Sequence, residues 1–148
     1  MPPTKLLEVV QKYKIRAVID LRKPGEKVDA ERAALVQAGI EHFHLPTRQV
    51  PPAEVVEKYL AILDQTENRP VLVHCRHGEG RSVLFAAIYR IEYEGWSNER
   101  ARRASRLIPE IGSFSASSSK GKFLQKYIPR TRAKHNLTIN PPIPQGSM

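Results

Sequence analysis

A short apolar run at residues 71–73 leads directly into the nine residues His-Cys-Arg-His-Gly-Glu-Gly-Arg-Ser at positions 74–82. Apolar residues at helical spacing follow from position 84, so this segment predicts a strand, a tight loop and a helix. The loop's backbone N–H groups can converge on one point, and the positive end of the helix faces the same point. The two glycines permit the backbone angles that such a curve needs. The segment therefore predicts a cup for a tetrahedral dianion, with Cys75 at its base.

Two residues of this segment have the chemistry of a nucleophile and an anion clamp. A free cysteine has a pKa near about 8.5, which a helix N-terminus and a nearby arginine lower to between roughly 3.5 and 7.5. A Cys75 thiolate can attack phosphorus and form a cysteinyl-phosphate. The fork of Arg81 can hold two phosphoryl oxygens, on which charge spreads in the transition state. Ser82 can donate a hydrogen bond to the thiolate or to the departing sulfur.

The other loop positions have predicted supporting roles. His74 is expected to order the loop through hydrogen bonds to the backbone. Arg76 and His77 either point to solvent or flank the cup and favour a substrate with several phosphates. In the second case, Arg48 would add a further positive charge to the pocket. The residues expected to contact the phosphate are Arg76, His77, Gly78, Glu79, Gly80 and Arg81.

The pattern His-Cys-x-x-Gly-x-x-Arg-Ser resembles the signature loop of the protein tyrosine phosphatase superfamily. Residues 17–22 are similar to the strand ending in Asp-Leu-Arg of bacterial and fungal dual-specificity-like phosphatases, as is the stretch 87–97. Rhodanese-type sulfurtransferases have a loop that is typically one residue shorter, and low-molecular-weight phosphatases carry theirs near the chain start. The resemblance covers about residues 4–108. It implies a cysteine phosphatase-like α/β fold and phosphoester hydrolysis without a metal or cofactor.

The chain departs from this family at the general acid. Family members usually carry an Asp about 25–35 residues before the cysteine, and residues 44–52 contain no carboxylate. One explanation is that another residue is the acid. Glu79 within the loop is one candidate, and its alternative interpretation is a solvated loop residue. The other candidates are Glu54 and Glu57 from the following helix. A second is a leaving group, such as an aryl oxide or another phosphate, that departs unaided. A third is a slow enzyme that binds phosphorylated partners.

The expected function is the hydrolysis of phosphomonoesters through a cysteinyl-phosphate. Phosphotyrosine or phosphoserine proteins, phosphoinositides and soluble inositol phosphates all remain candidate substrates. The alternative is a catalytically weak phosphate-binding module that lacks the usual acid.

Composition narrows the choice of partners. The 148 residues include 24 Lys and Arg against 15 Asp and Glu, a net charge of +9, which attracts polyanions. Nucleic acid is the weaker interpretation, because neither a helix-turn-helix nor a zinc pattern is present. One cysteine excludes an internal disulfide, and its reactive thiolate favours a reducing compartment, hence a cytoplasmic location. No apolar run approaches the roughly 18 residues of a membrane span, and the oligomeric state stays open.

Strand and helix patterns alternate, which predicts an α/β fold with a central, mostly parallel sheet flanked by helices. Residues 1–128 are expected to form a single phosphatase-like domain, and residues 129–148 a basic, proline-containing tail. The first helix starts almost at once, so the domain is expected to lack the one or two short strands with which the family usually begins, and residues 1–4 carry no secretory signal. The predicted strands are 17–21, 40–45 and 71–74, and the last of them is expected to be central. Helices are predicted at 4–13, with Thr4 as cap, and at 29–38, 82–93 and 122–128. Two further helices are predicted, one that prolines 51 and 52 begin and one that Ser97 caps.

Overall fold

Strands and helices alternate through the first half of the chain. The computed structural model describes residues 3–25, 27–75, 80–106 and 113–130. The chain forms two compact units, Met1–Phe85 and Ala86–Met148. The elements are α1 Pro3–Lys12, β1 Ala17–Asp20, α2 Val28–Gln37, β2 Glu41–His44, α3 Ala53–Asp64, a 3-10 helix Thr66–Asn68, β3 Val71–His74, α4 Arg81–Tyr93, α5 Asn98–Ser105 and α6 Ser119–Lys126.

The sheet of the first unit has three parallel strands in the order β2, β1, β3. All four residues of β1 are buried, as expected for a strand covered on both faces. The predicted α/β fold with a parallel sheet and flanking helices is confirmed. The prediction that residues 71–74 form the central strand is wrong for the described sheet, where β1 is central and β3 lies at an edge. Asp20 is level with His44 and His74, so all three strands end together.

One face of this sheet packs against α1 and α2. Leu6 and Val10 of α1, Val18 of β1 and Leu35 of α2 form a buried cluster. Burial of one such side chain contributes about 1.5–3 kcal/mol, so the cluster fixes α2 firmly over the sheet. Because α2 follows β1 in the chain, its first turns lie near the carboxyl ends of the strands.

The predicted apolar face of α3 is confirmed. The Tyr59 hydroxyl donates a hydrogen bond to the carbonyl oxygen of Phe85 at 2.9 Å, and the two rings meet edge to face with centroids 4.7 Å apart. This contact ties α3 to the beginning of α4. The buried residues of α3 are Val55, Val56, Tyr59, Leu60 and Leu63.

Serine caps begin both short helices of the second unit. Ser97 accepts a hydrogen bond from the N–H of Arg100 at 3.1 Å, as predicted, and Ser118 accepts one from the N–H of Gly121 at 3.0 Å. Each cap contributes about 1 kcal/mol. A Cβ at Gly121 would lie 1.8 Å from the carbonyl oxygen of Ser115. The preceding turn can approach α6 so closely only because position 121 has no side chain.

Two predicted helix starts need correction. Thr4 lies inside α1 and does not cap it, because the helix already begins at Pro3 and proline is tolerated in the first turn. The cap at Ser118 starts α6 three residues before the predicted position 122. The other predicted elements agree within one or two residues. None of the described helices is both long and apolar enough to cross a membrane, and residues 131–148 of the predicted tail lie outside the described ranges.

Candidate active site

Cys75 directly follows β3, and its side chain lies at the start of α4. The cysteine is 7% exposed, and its Sγ is 3.5 Å from the Oγ of Ser82. The helix begins at Arg81, and the first N–H groups of any helix lack partners within it. The positive end of α4 and the Ser82 hydroxyl therefore favour a negative charge at Sγ.

Arg81 is fixed at the carboxyl ends of the strands. Its side chain is buried, and Nη1 donates hydrogen bonds to the carbonyl oxygens of Leu21 at 3.2 Å and Thr47 at 3.4 Å. Leu21 follows β1, and Thr47 lies in the segment after β2. The guanidinium is thus oriented by two neighbouring strand ends before any anion arrives, so less side-chain freedom is lost on binding.

The structure brings together three of the predicted catalytic residues, Cys75, Arg81 and Ser82, and places Gly80 in a buried position beside them. The remaining loop predictions, including the acid role of Glu79, fall outside the described residues and stay predictions. They concern Arg76, His77, Gly78 and Glu79.

The segment after β2 reaches Arg81 with backbone and offers no acid. Thr47 is buried and uses its carbonyl oxygen, while residues 45–52 contain neither Asp nor Glu. Arg48, the next residue, is exposed. The alternative acids, Glu54 and Glu57, are exposed on α3.

A network of charged side chains is buried at the carboxyl end of β1. Asp20 and Glu31 are at most 2% exposed, and they share the guanidinium of Arg22. Arg22 Nε donates to Asp20 Oδ1 at 2.9 Å, and Nη2 donates to Asp20 Oδ2 at 2.7 Å and to Glu31 Oε2 at 2.5 Å. Two carboxylates against one guanidinium leave this trio with a net negative charge.

His42 of β2 can supply the balancing charge. Its side chain is 1% exposed, with Nε2 3.5 Å from Asp20 Oδ2 and 3.6 Å from Glu31 Oε1. Burial alone would lower the pKa of His42, but the two carboxylates outweigh burial and raise it. On the other side of the ring, the Nε–H of Arg32 donates a hydrogen bond to Nδ1 at 3.3 Å, which only an unprotonated Nδ1 can accept. Protonation of His42 at Nδ1 would make the charges of the trio and the imidazole sum to zero, and it would replace the hydrogen bond from Arg32.

The cations in turn keep both carboxylates ionised. Burial would raise the pKa of each, but the nearby His42 imidazole and the hydrogen bonds from Arg22 hold the pKa of Asp20 well below its usual range. The nearby His42 imidazole and the hydrogen bond from His74 lower the pKa of Glu31 to about 2.

His74 links this network to Cys75. Its Nε2 lies 2.6 Å from Glu31 Oε1, and because an ionised carboxylate only accepts, Nε2 carries the hydrogen. The sequence predicted backbone partners for His74. The partner of Nε2 is instead a carboxylate from α2, which long-range packing brings there.

The same cluster contains groups that bind metals. Ligand atoms of Asp20, Glu31 and His42 lie within 4.8 Å of one another, and such side chains can hold Zn²⁺. However, the Arg22 guanidinium already binds both carboxylates, and a divalent cation would have to displace it. The residues therefore fit a charge network better than a metal centre.

Glu31 and His42 are absent from the sequence-based site. For Glu31 a signal exists, because Val28, Glu31 and Leu35 are spaced i, i+3 and i+7 and form the buried face of α2. A carboxylate on an apolar stripe indicates a buried partner. For His42 no comparable signal exists, because the pattern Glu-His-Phe-His of β2 does not show which face is buried.

Stability should depend on pH through His42. Because its folded pKa is raised, the contribution is fully present below the unfolded pKa of about 6.5 and is lost as pH rises through the folded value. We expect urea unfolding at pH 6 and pH 9 to show that His42→Gln costs more stability at pH 6, by on the order of 1 kcal/mol.

Leu35→Ala is the matched control, because it removes a buried neighbour that does not titrate. Its cost in unfolding free energy should be equal at the two pH values. An equal cost of His42→Gln at both values would show that His42 is neutral in the network.

Several known proteins are similar to this chain in sequence and in fold. Residues 5–122 match the family described as a DSP-PTPase phosphatase fused to NAD+ kinase. The dual specificity protein phosphatase TpbA of Pseudomonas aeruginosa is 34% identical over 103 residues, 68% of this chain and 45% of that protein. The inositol diphosphatase DSP4 of Arabidopsis thaliana is 31% identical over 90 residues, 53% of this chain and 45% of that protein. A crystal structure of P. aeruginosa TpbA in complex with pTyr matches with a TM-score of 0.57 at 29% identity, covering 72% of this chain and 64% of that chain. The chain thus spans less than half the length of these curated relatives.

Proposed function

The chain belongs to the DSP-PTPase family of cysteine phosphatases, and we propose that it hydrolyses phosphomonoesters without a metal ion, through a cysteinyl-phosphate. One observation carries the proposal, the placement of Cys75 Sγ 3.5 Å from Ser82 Oγ at the start of α4. This arrangement provides a nucleophile, a hydrogen-bond donor for the sulfur and a helix N-terminus at one point. We also propose that the catalytic domain covers residues 1–128.

In the first step, the Cys75 thiolate attacks phosphorus. An S–P bond forms while the P–O bond to the leaving group breaks, and the departing oxygen takes the electron pair. Arg81 can neutralise the charge that builds up on the phosphoryl oxygens, because its guanidinium is already oriented by the carbonyl oxygens of Leu21 and Thr47. Such preorganised charge stabilises the transition state more than the ground state.

In the second step, water attacks phosphorus and the S–P bond breaks. The sulfur leaves as a thiolate, and the Ser82 hydroxyl can donate a hydrogen bond to the charge that returns to Sγ. Inorganic phosphate is released, and the enzyme is regenerated without any oxidant or cofactor.

A second candidate is a phosphate-binding module with little turnover. It is favoured by one feature, the absence of a carboxylate from residues 45–52. General acid catalysis contributes about 10²–10⁴-fold, so a chain without an acid retains binding more readily than catalysis. Release of phosphate from an aryl phosphate by the wild-type chain would separate the two candidates.

The substrate is proposed to be a phosphorylated protein or a polyphosphorylated small molecule or lipid. The curated relatives include a dual specificity protein phosphatase and an inositol diphosphatase, and the net charge of +9 suits either anion. A leaving group of low pKa, the phenol of phosphotyrosine or a phosphate of a phosphoanhydride, suits a site without an acid. The single reactive thiol supports a reducing, cytoplasmic setting.

A series of leaving groups tests this proposal. Without an acid in residues 45–52, kcat should fall as the pKa of the leaving group rises, provided that chemistry limits the rate. Aryl phosphates and phosphoanhydrides should therefore turn over faster than alkyl phosphates, by up to the roughly 10²–10⁴-fold that an acid supplies. Steady-state phosphate release with substrates of each kind is the measurement.

Two variants serve as controls in this series. If alkyl phosphates turn over as fast as aryl ones and Glu79→Gln selectively slows them, Glu79 is the acid. If Glu54→Gln does so instead, the acid comes from α3. Equal rates that neither variant changes would contradict both the unaided departure and these two acids.

A further inference from the structure

The side chain of His74, the first residue of the segment 74–82, is hydrogen-bonded to a residue outside that segment. Its Nε2–H donates to Glu31 Oε1 at 2.6 Å, and both side chains are buried, at 11% and 2% exposure. His74 directly precedes Cys75 and is the last residue of β3. A displacement of the His74 ring would therefore move the backbone from which the nucleophile projects.

Glu31 is itself fixed from several sides. Its second oxygen, Oε2, accepts from Nη2 of Arg22 at 2.5 Å, and its helix is anchored by the burial of Leu35 one turn later. Nε2 of His42 lies 3.6 Å from Oε1. The carboxylate thus has little freedom to follow His74 if the loop shifts.

We propose that Glu31 is a positioning residue for the phosphate-binding loop, acting through the side chain of His74. The inference deepens the proposed function and rests on it for the role of Cys75 as nucleophile. Among the described residues, Glu31 is linked to Cys75 through its hydrogen bond to His74, the residue before the cysteine. The bond also fixes the hydrogen of the His74 ring on Nε2, so Nδ1 of a neutral ring is an acceptor.

The lone cysteine of the chain allows a test that does not require turnover. Alkylation by iodoacetamide reports on Cys75 alone, and the concentration of inorganic phosphate that halves its rate reports on the anion cup. We would measure this concentration for the wild type, Glu31→Gln, His74→Ala and the double variant. Leu63→Ala, which removes a buried side chain of α3, is the control for a general loss of stability.

Glu31→Gln should raise the half-protecting phosphate concentration about tenfold, because small displacements of binding groups are costly. In the His74→Ala background the same change should have less than about a twofold effect, because the hydrogen bond between positions 31 and 74 is already absent. Leu63→Ala should lower the melting temperature and leave the half-protecting phosphate concentration unchanged. Equal effects of Glu31→Gln in both backgrounds, or no effect in either, would overturn the proposal.

A second variant approaches the bond from the other side, and it covers the case in which Glu31→Gln does not fold. The amide of His74→Gln can still donate to Glu31, so this variant should keep most of the phosphate affinity that His74→Ala loses. Equal losses in the two variants would also overturn the proposal.

The outcome is separable from that of the proposed function. If the wild type hydrolyses no ester and the two changes are still coupled, the phosphatase proposal fails and the positioning role stands. If the wild type turns over and the changes are additive, the positioning role alone fails.

Discussion

Cys75→Ser is expected to abolish turnover while phosphate binding persists. A serine hydroxyl is far less acidic than a thiol, so no anionic nucleophile is available at working pH. The start of α4 and Arg81, which are the proposed anion-binding groups, are unchanged by the substitution. Phosphate release from an aryl phosphate measures the first effect, and calorimetric titration with inorganic phosphate measures the second.

The two readings distinguish chemistry from folding. A variant that has lost both binding and turnover would point to a collapsed site, which a melting curve would reveal. If the serine variant keeps a tenth or more of the wild-type rate, the covalent mechanism is wrong.

Arg81→Lys is expected to lower kcat/KM by roughly one to two decades. A lysine carries the charge but cannot form the bidentate fork, and a charge-assisted hydrogen bond is worth about 1.5–3 kcal/mol. It also loses the planar group that now donates to Leu21 and Thr47. The comparison requires kcat and KM for one aryl phosphate, because the loss of an interaction that is stronger in the transition state lowers kcat more than it raises KM.

Arg48→Lys is a matched control, since it makes the same chemical change at an exposed arginine next to Thr47. Its kcat/KM should stay within about twofold of the wild type. Near-normal kinetics of Arg81→Lys would show that Arg81 does not grip the phosphoryl group.

The strand before Cys75 and the helix that begins at Arg81 could be predicted because three local signals coincide there. An apolar run, two glycines and a helical apolar stripe follow one another within about 20 residues, and each is set by local physical chemistry. The parallel sheet followed in the same way from alternating strand and helix patterns. The buried face of α3 could also be predicted, because its apolar residues are regularly spaced.

The residues that orient Arg81 and His74 could not be predicted from the sequence, because they come from distant parts of the chain. Arg81 is oriented by backbone oxygens 60 and 34 residues earlier, and a backbone acceptor leaves no mark on the sequence. The partner of His74 lies 43 residues earlier. The central position of β1 likewise depends on pairing between strands rather than on the composition of any one of them.

The contact between Arg81 and Thr47 has a consequence for how this site can change over evolution. The segment after β2 reaches the arginine with a carbonyl oxygen, a group that every residue type carries. Side chains on this segment can therefore be exchanged without removing the support of Arg81. A carboxylate can be gained or lost there by single substitutions while the anion cup is retained, so the range of leaving groups can diverge between relatives faster than their affinity for phosphate.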